Sequence, residues 1–231
     1  AVYFGGEPKE RPEKEEKKPP VPSEAIEETE PATPAPAPAA AAQTPPPADL
    51  IVTTVTPPTT GTPGQPATIG WVVRNNGSNP ASRSWADSVY LSTDDVWDAN
   101  DVLVARVDRS TTLSPNATYN GSTSASLPGV VPGSYRVIVR TDIRNTVLEA
   151  AEGNNITASA GTVLIDATEL QLGTAFASQL STGTQHYYKV LVPAGEDLRV
   201  VLDSASADSS NELFVRYGAM PDRGNFDFLY G

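Results

Sequence analysis

The sequence predicts an all-β chain: an immunoglobulin-like β-sandwich, then a partial second β-sandwich, with a disordered spacer ahead of both. Three observations carry this expectation. Residues 1–47 hold 12 of the 22 prolines. From Ala48 onward, short β-branched and aromatic runs are punctuated by Gly, Pro and Asn. In S-Y-R-V-I-V-R-T, Tyr135, Val137 and Val139 alternate with Arg136, Ile138 and Arg140. That period of two suits a strand with one face on a core and the other largely toward water.

Taken in order, the spacer comes first. A Glu/Lys block, R-P-E-K-E-E-K-K-P-P, gives way to P-A-T-P-A-P-A-P-A-A-A-A-Q-T-P-P-P. Proline fixes φ and removes donors, and few bulky apolar residues remain to offset backbone entropy. An extended linker follows, with a Pro-rich peptide ligand as the alternative reading.

Seven strands are expected between residues 48 and 165: A-D-L-I-V-T-T-V, A-T-I-G-W-V-V-R, S-W-A-D-S-V-Y-L-S, D-V-L-V-A-R-V-D, A-T-Y-N-G-S-T-S-A-S-L, S-Y-R-V-I-V-R-T-D and I-T-A-S-A-G-T-V-L-I. Helical spacing is not sustained there, so a sandwich fits better than an α/β unit. P-G-S-Y, ending at Tyr135, suggests a tyrosine corner. Trp71 lies on the second expected strand rather than the third, so an antibody-type domain is not implied.

The blocks P-A-D-L-I-V, V-V-R-N-N-G, D-S-V-Y-L-S-T-D, D-A-N-D-V-L, P-G-S-Y-R-V-I-V-R-T-D and V-L-E-A-A-E-G-N-N stand in order over residues 48–165. This region resembles the CARDB family, the cell-adhesion-related domain of bacterial surface and secreted proteins. The resemblance implies an immunoglobulin-like sandwich in a large exported protein, and it supplies no catalytic residues. Residues 166–231 begin again with E-L-Q-L-G-T, H-Y-Y-K-V-L-V-P-A-G-E-D-L-R-V-V-L-D and N-E-L-F-V-R-Y-G-A-M-P. Leu198, Val200 and Leu202 alternate after a P-A-G-E-D turn. This region resembles the front of the bacterial pre-peptidase C-terminal domain, a jelly-roll-like accessory module. A complete sandwich needs about 100 residues, so the second sheet is expected to be incomplete.

Composition narrows the function. With 28 acidic against 16 basic residues and a net charge of −12, the field repels phosphate backbones, so nucleic acid is not an expected partner. The absence of cysteine excludes disulfides, thiolate metal sites and a cysteine nucleophile. No run approaches the roughly 20 apolar residues of a membrane span. Because the chain starts at Ala1 and shows no signal peptide, it is expected to be a segment of a longer protein whose export signal lies elsewhere.

The densest candidate site is S-T-D-D-V-W-D-A-N-D-V-L, which crowds Asp94, Asp95, Asp98, Asn100 and Asp101 together. It is not an EF-hand: counted from Asp94, position 3 is Val96 and no glycine follows. An irregular calcium loop is one reading, because Asp98, Asn100 and Asp101 make D-x-N-D and calcium takes carboxylate and carbonyl oxygens. The other is a hairpin tip whose Asp and Asn side chains bond nearby backbone N–H groups. E-G-N-N, Glu152 to Asn155, reads either as a contribution to a cation site or as a turn of the same kind, and Asp142, Glu149 and Glu152 could approach the acidic tip only if the two loops share an end of the sandwich.

His186, the single histidine, is expected on a strand rather than in a Ser-His-Asp triad. No H-E-x-x-H or P-loop sequence is present. Trp71 is expected in the core, and Trp97, inside the acidic stretch, as an exposed contact. The expectation is therefore a non-enzymatic display and adhesion module, extracellular or at the bacterial cell surface, monomeric within a multidomain protein. It would meet a protein or carbohydrate surface, with calcium as its one candidate cofactor. An accessory region of an exported peptidase and a carbohydrate-binding module are the alternatives.

Overall fold

The computed structural model describes residues 47–206 and 208–230. The expected spacer, Pro47 apart, lies outside the described residues. Every regular element among the described residues is a strand. One sheet is built from β1 (Leu50–Thr56), β3 (Pro66–Asn75) and β6 (Thr118–Ser126), in the order β1-β3-β6 and antiparallel throughout. The other runs β2-β9-β7-β4-β5, from β2 (Thr60–Gly61), β9 (Val163–Ile165), β7 (Gly133–Arg140), β4 (Trp85–Ser92) and β5 (Val102–Arg109). A further short strand, β8 (Ile156–Ala158), pairs with β7.

Both sheets place alternate residues in one core: Leu50 and Val52 from β1, Ile69, Trp71 and Val73 from β3, Val89 and Leu91 from β4, Val137 and Val139 from β7. The pleat explains the spacing, since residues two apart share a face. Ile138 departs from the expected alternation. It lies on the face opposite Val137 and Val139 and is nevertheless fully buried. The reason is position: β7 sits between β4 and β8, and Ile138 is flanked in register by Tyr90 and Ala158.

Six of the seven expected strands form, within a residue or two of their expected bounds. The seventh is split. Ser159 Oγ accepts the Val137 N–H at 3.0 Å and donates to the Gly161 carbonyl at 2.6 Å. The chain thereby bends between β8 and β9, which pair with different halves of β7. The expected tyrosine corner is present as a bond, Tyr135 Oη donating to the Val131 carbonyl at 2.7 Å.

One strand glycine is required by packing. Gly121 stands opposite Trp71 in register, and a Cβ there would fall on the indole ring. Asn75, fully buried, uses its whole amide. It accepts the Asp49 and Gly77 N–H groups and donates to the Asn79 and Leu113 carbonyls. The N-N-G block therefore ties three loops to one side chain.

Residues 166–230 form two small sheets. β10 (Thr168–Leu170) and β11 (Tyr188–Val190) pair in parallel, and β12 (Leu213–Val215) and β13 (Phe228–Tyr230) pair antiparallel. The P-A-G-E-D turn is present, with Gly195 at φ +84° and the Glu196 N–H on the Pro193 carbonyl. The strand expected after it is not: Leu198, Val200 and Leu202 lie in irregular, exposed chain. Among the described residues, no strand pairs with them to receive their hydrogen bonds or their apolar rows. Gln185 and Tyr187 anchor the segment: the Tyr187 ring lies where a Cβ at Gly129 would stand, and the Gln185 carbonyl lies where a Cβ at Gly64 would stand.

Candidate functional site

The acidic tip joins β4 to β5 and caps its own turns. Asp98 Oδ1 accepts the Asn100 N–H at 2.6 Å, and Asp101 Oδ2 accepts the Asp98 N–H at 2.9 Å. Asn100 Nδ2 donates to Asp98 Oδ2 at 3.3 Å. Asp94 forms a separate cap, its Oδ1 accepting the Val96 N–H at 2.8 Å while Ser92 Oγ accepts the Asp94 N–H at 3.1 Å. Asp95 lies exposed between the two. The fold thus brings Asp98, Asn100 and Asp101 together and holds Asp94 in the preceding turn. Among the described residues, no group of three or more His, Cys, Asp or Glu side chains is placed to hold a metal ion. Asp94, Asp98, Asn100 and Asp101 do line a cavity of about 480 Å³, with Arg216 and Asp222 among its other lining residues.

Trp97 is not the exposed contact expected from sequence. It is half-buried, edge-on to Tyr90, with the Arg140 guanidinium 3.7 Å from its ring centre. The cation finds the negative face of the indole, which covers the ring. Trp71 is in the core, as expected, and Trp85 is buried beside it. The three tryptophans form no common exposed platform. His186 lies two residues before β11 rather than within a strand. Its Nδ1 contacts Ser178 Oγ at 3.2 Å and Tyr188 Oη at 3.3 Å, and neither partner is a carboxylate.

The most concentrated polar constellation was missed by sequence reasoning. Asp87, fully buried, accepts from Trp71 Nε1 at 2.9 Å, Tyr119 Oη at 2.8 Å and Thr141 Oγ1 at 2.8 Å. Arg109 Nε stands 3.5 Å away, and its guanidinium lies over the Tyr119 ring at 4.8 Å. Burial, and then the charge of Asp87, push the Tyr119 phenol well above its ordinary pKa. A signal was available: Asp87 shares strand parity with Trp85, Val89 and Leu91, all of which face the core. An inward carboxylate demands partners from both sheets.

A second buried carboxylate, weighed by sequence reasoning only as one that could approach the acidic tip, is Glu149. It lies in the connection between β7 and β8, with Oε1 accepting the Leu50 N–H at 3.1 Å and Oε2 accepting Asn155 Nδ2 at 2.6 Å. Burial, reinforced by the nearby charges of Glu152 and Asp142, pushes its carboxyl up to about 7 in spite of those two bonds. Asp142, at φ +42°, spends its carboxylate on the Thr146 and Val147 N–H groups and the Thr146 hydroxyl.

Residues 47–159 match the CARDB family model. This segment is a CARDB domain. Among solved structures, the chain is similar to the CARDB domain of a Pyrococcus furiosus protein described as in complex with di-metal ions. The identity is 21%, the TM-score 0.40, and the match covers 55% of this chain and 95% of that one. A domain from a Methanosarcina acetivorans protein named for the cell surface matches at 25% identity and TM-score 0.40, over 52% of this chain and 93% of that one. A β-glucosidase from Listeria innocua matches at 13% identity and TM-score 0.35, over 52% of this chain and 16% of that one. No curated protein matches the chain.

Proposed function

We propose that this chain is a noncatalytic display and adhesion module of a large secreted or surface-anchored bacterial protein. The observation that carries the reading is the CARDB domain itself, over residues 47–159. The inward direction of its chemistry agrees: the polar groups around Asp87 are spent on joining the two sheets. In this reading the Pro-rich stretch spaces the domain from its neighbours, and residues 166–231 are the opening of a pre-peptidase-like accessory module. The partner is an extracellular protein or carbohydrate surface. An antibody against the CARDB domain tests the location. It is expected to label intact producing cells or to find the protein in the medium, and labelling only after permeabilisation overturns the reading.

A calcium ion at the acidic tip belongs to the same proposal. Asp98 Oδ1 and Asp101 Oδ2 each accept one N–H and keep a second lone pair, and with Asp94 they border one cavity. Thermal melts in chelator, calcium and magnesium at matched ionic strength test it. Calcium at ten times its dissociation constant adds about 1.4 kcal/mol, a few degrees for a domain of this size. Asp98→Asn and Asp101→Asn are expected to abolish the rise, and coincident curves for the unsubstituted chain remove calcium from the proposal.

A further inference from the structure

Glu149 stands where the chain first joins the sandwich. Its backbone bridges that of Ala48, the Ala150 N–H donates to the Ala48 carbonyl at 2.8 Å, and its carboxylate takes the Leu50 N–H. One short segment therefore holds residues 48–50 in place by main chain and side chain together. The charges that bear on it, Glu152 and Asp142 of its own connection, are both acidic, and Asp49, next to Leu50 in the chain, is bonded to Asn154 Nδ2 at 2.9 Å. Among the described residues, Asp49, Asp142 and Glu149 are all buried and none has an ion-pair partner. A buried carboxylate without a countercharge favours its neutral form.

The adjacent amide supplies a second, independent observation. Asn155 is 4% exposed, and its Oδ1 accepts no hydrogen bond. Asn75, the other buried asparagine, uses both its oxygen and its nitrogen. An ionised Glu149 can only accept, so Asn155 must present its nitrogen and leave its oxygen unpaired. A protonated Glu149 has the one donor that the oxygen lacks.

We propose that Glu149 and Asn155 form a proton-operated clip on the first strand. With Glu149 protonated, its O–H donates to Asn155 Oδ1, the amide having turned over, and residues 48–50 are held. With Glu149 ionised, the amide turns back to donate its nitrogen, and the buried carboxylate, which has no countercharge, weakens the clip in spite of the two bonds that it accepts. Burial without a countercharge raises the carboxyl from an ordinary 4.5 to about 7, against the two hydrogen bonds that it accepts from Leu50 and Asn155. The sign follows from linkage. A carboxyl whose pKa is higher in the folded state binds its proton more tightly there, so the stabilisation is full below about pH 4.5, is lost as pH rises, and is gone above about pH 7. The clip is tight in mild acid and loose in mild alkali.

Nuclear magnetic resonance on the full chain in chelator tests this directly. The Leu50 backbone amide and the Asn155 side-chain amide are followed from about pH 4 to about pH 9. Both are expected to titrate together with a midpoint near 7. Glu149→Gln, which carries a permanent donor, is expected to hold the Leu50 amide near its acid-limit shift at every pH. A midpoint near 4.5, or a Leu50 amide that does not titrate, overturns the proposal on the unsubstituted chain alone, whether or not the variant folds. Repeating the titration in calcium separates a proton from a metal: an unmoved midpoint supports the clip, and a midpoint lowered by a unit or more makes Glu149 a cation ligand and overturns it.

Discussion

Residues 47–165 and residues 166–230 are both written in short apolar strands, yet they end differently. In the first region, Leu50, Ile69, Val89, Leu91, Val137, Val139 and Ile165 are all essentially removed from water. In the second, Leu172, Phe176, Leu191, Val201, Phe228 and Tyr230 are at least half exposed, and Ala167 is the one hydrophobic residue described as buried. The difference teaches that alternation is a necessary condition only. A strand buries its apolar face when a second layer stands about 10 Å away to receive it, and two-stranded sheets of three residues supply no such layer.

The largest expected effect lies where the two layers are joined. Asp87→Ala leaves Trp71, Tyr119, Thr141 and Arg109 without their common acceptor. Breaking a buried ionic network from one side costs about 3–5 kcal/mol, so urea unfolding followed by tryptophan fluorescence should show a large fall in midpoint. A loss below about 1 kcal/mol, the range of an exposed pair, would mean that packing alone joins the sheets.

Gly121→Ala comes next. The added Cβ meets the Trp71 indole in the middle of β6, and overpacking of this kind costs about 1–3 kcal/mol. The same urea experiment measures it, and a neutral result would show that β3 and β6 slide apart at little cost.

Tyr187→Ala sharpens the comparison from the other side. Its ring packs against Gly129, where a Cβ would fall on it, and lies close to Gly64. The expected outcome is faster proteolysis within residues 166–230 with the unfolding midpoint of the CARDB domain unchanged. A shared loss of stability would instead make the two regions one cooperative unit. Lys189→Ala is expected to do least. Its bond to Asp166, 2.7 Å long, lowers the pKa of Asp166 and raises that of the lysine, but the pair is exposed and screened. No measurable change in midpoint is expected.

Much of the fold was legible because strand signals are local. The β-branched runs, their turn residues and the parity of Val137 and Val139 are read without knowing any neighbour. The failures were of one physical kind. Ile138 was expected on a wet face because parity cannot say that β7 is an interior strand. Trp97 was expected as an exposed contact because Arg140, far along the chain, covers it. Leu198, Val200 and Leu202 were expected as a strand because their alternation does not reveal that no partner lies alongside.

For the candidate sites the division is similar. The grouping of Asp98, Asn100 and Asp101 was visible, since turn caps bond within two or three residues. Asp87 was not picked out and Glu149 was weighed only as a neighbour of the acidic tip, because their chemistry depends on partners as distant as Thr141 and Leu50.

By itself, then, the sequence determined the class of structure, the bounds of most strands, the CARDB resemblance and the turn chemistry of the acidic tip. These follow from φ/ψ preference, side-chain parity and short-range hydrogen bonding, which act over a few residues. Only the tertiary structure decided which strand is interior, which carboxylates lose their water and which apolar rows find a facing layer. Burial and desolvation are properties of the packed whole, and no short stretch of chain contains them.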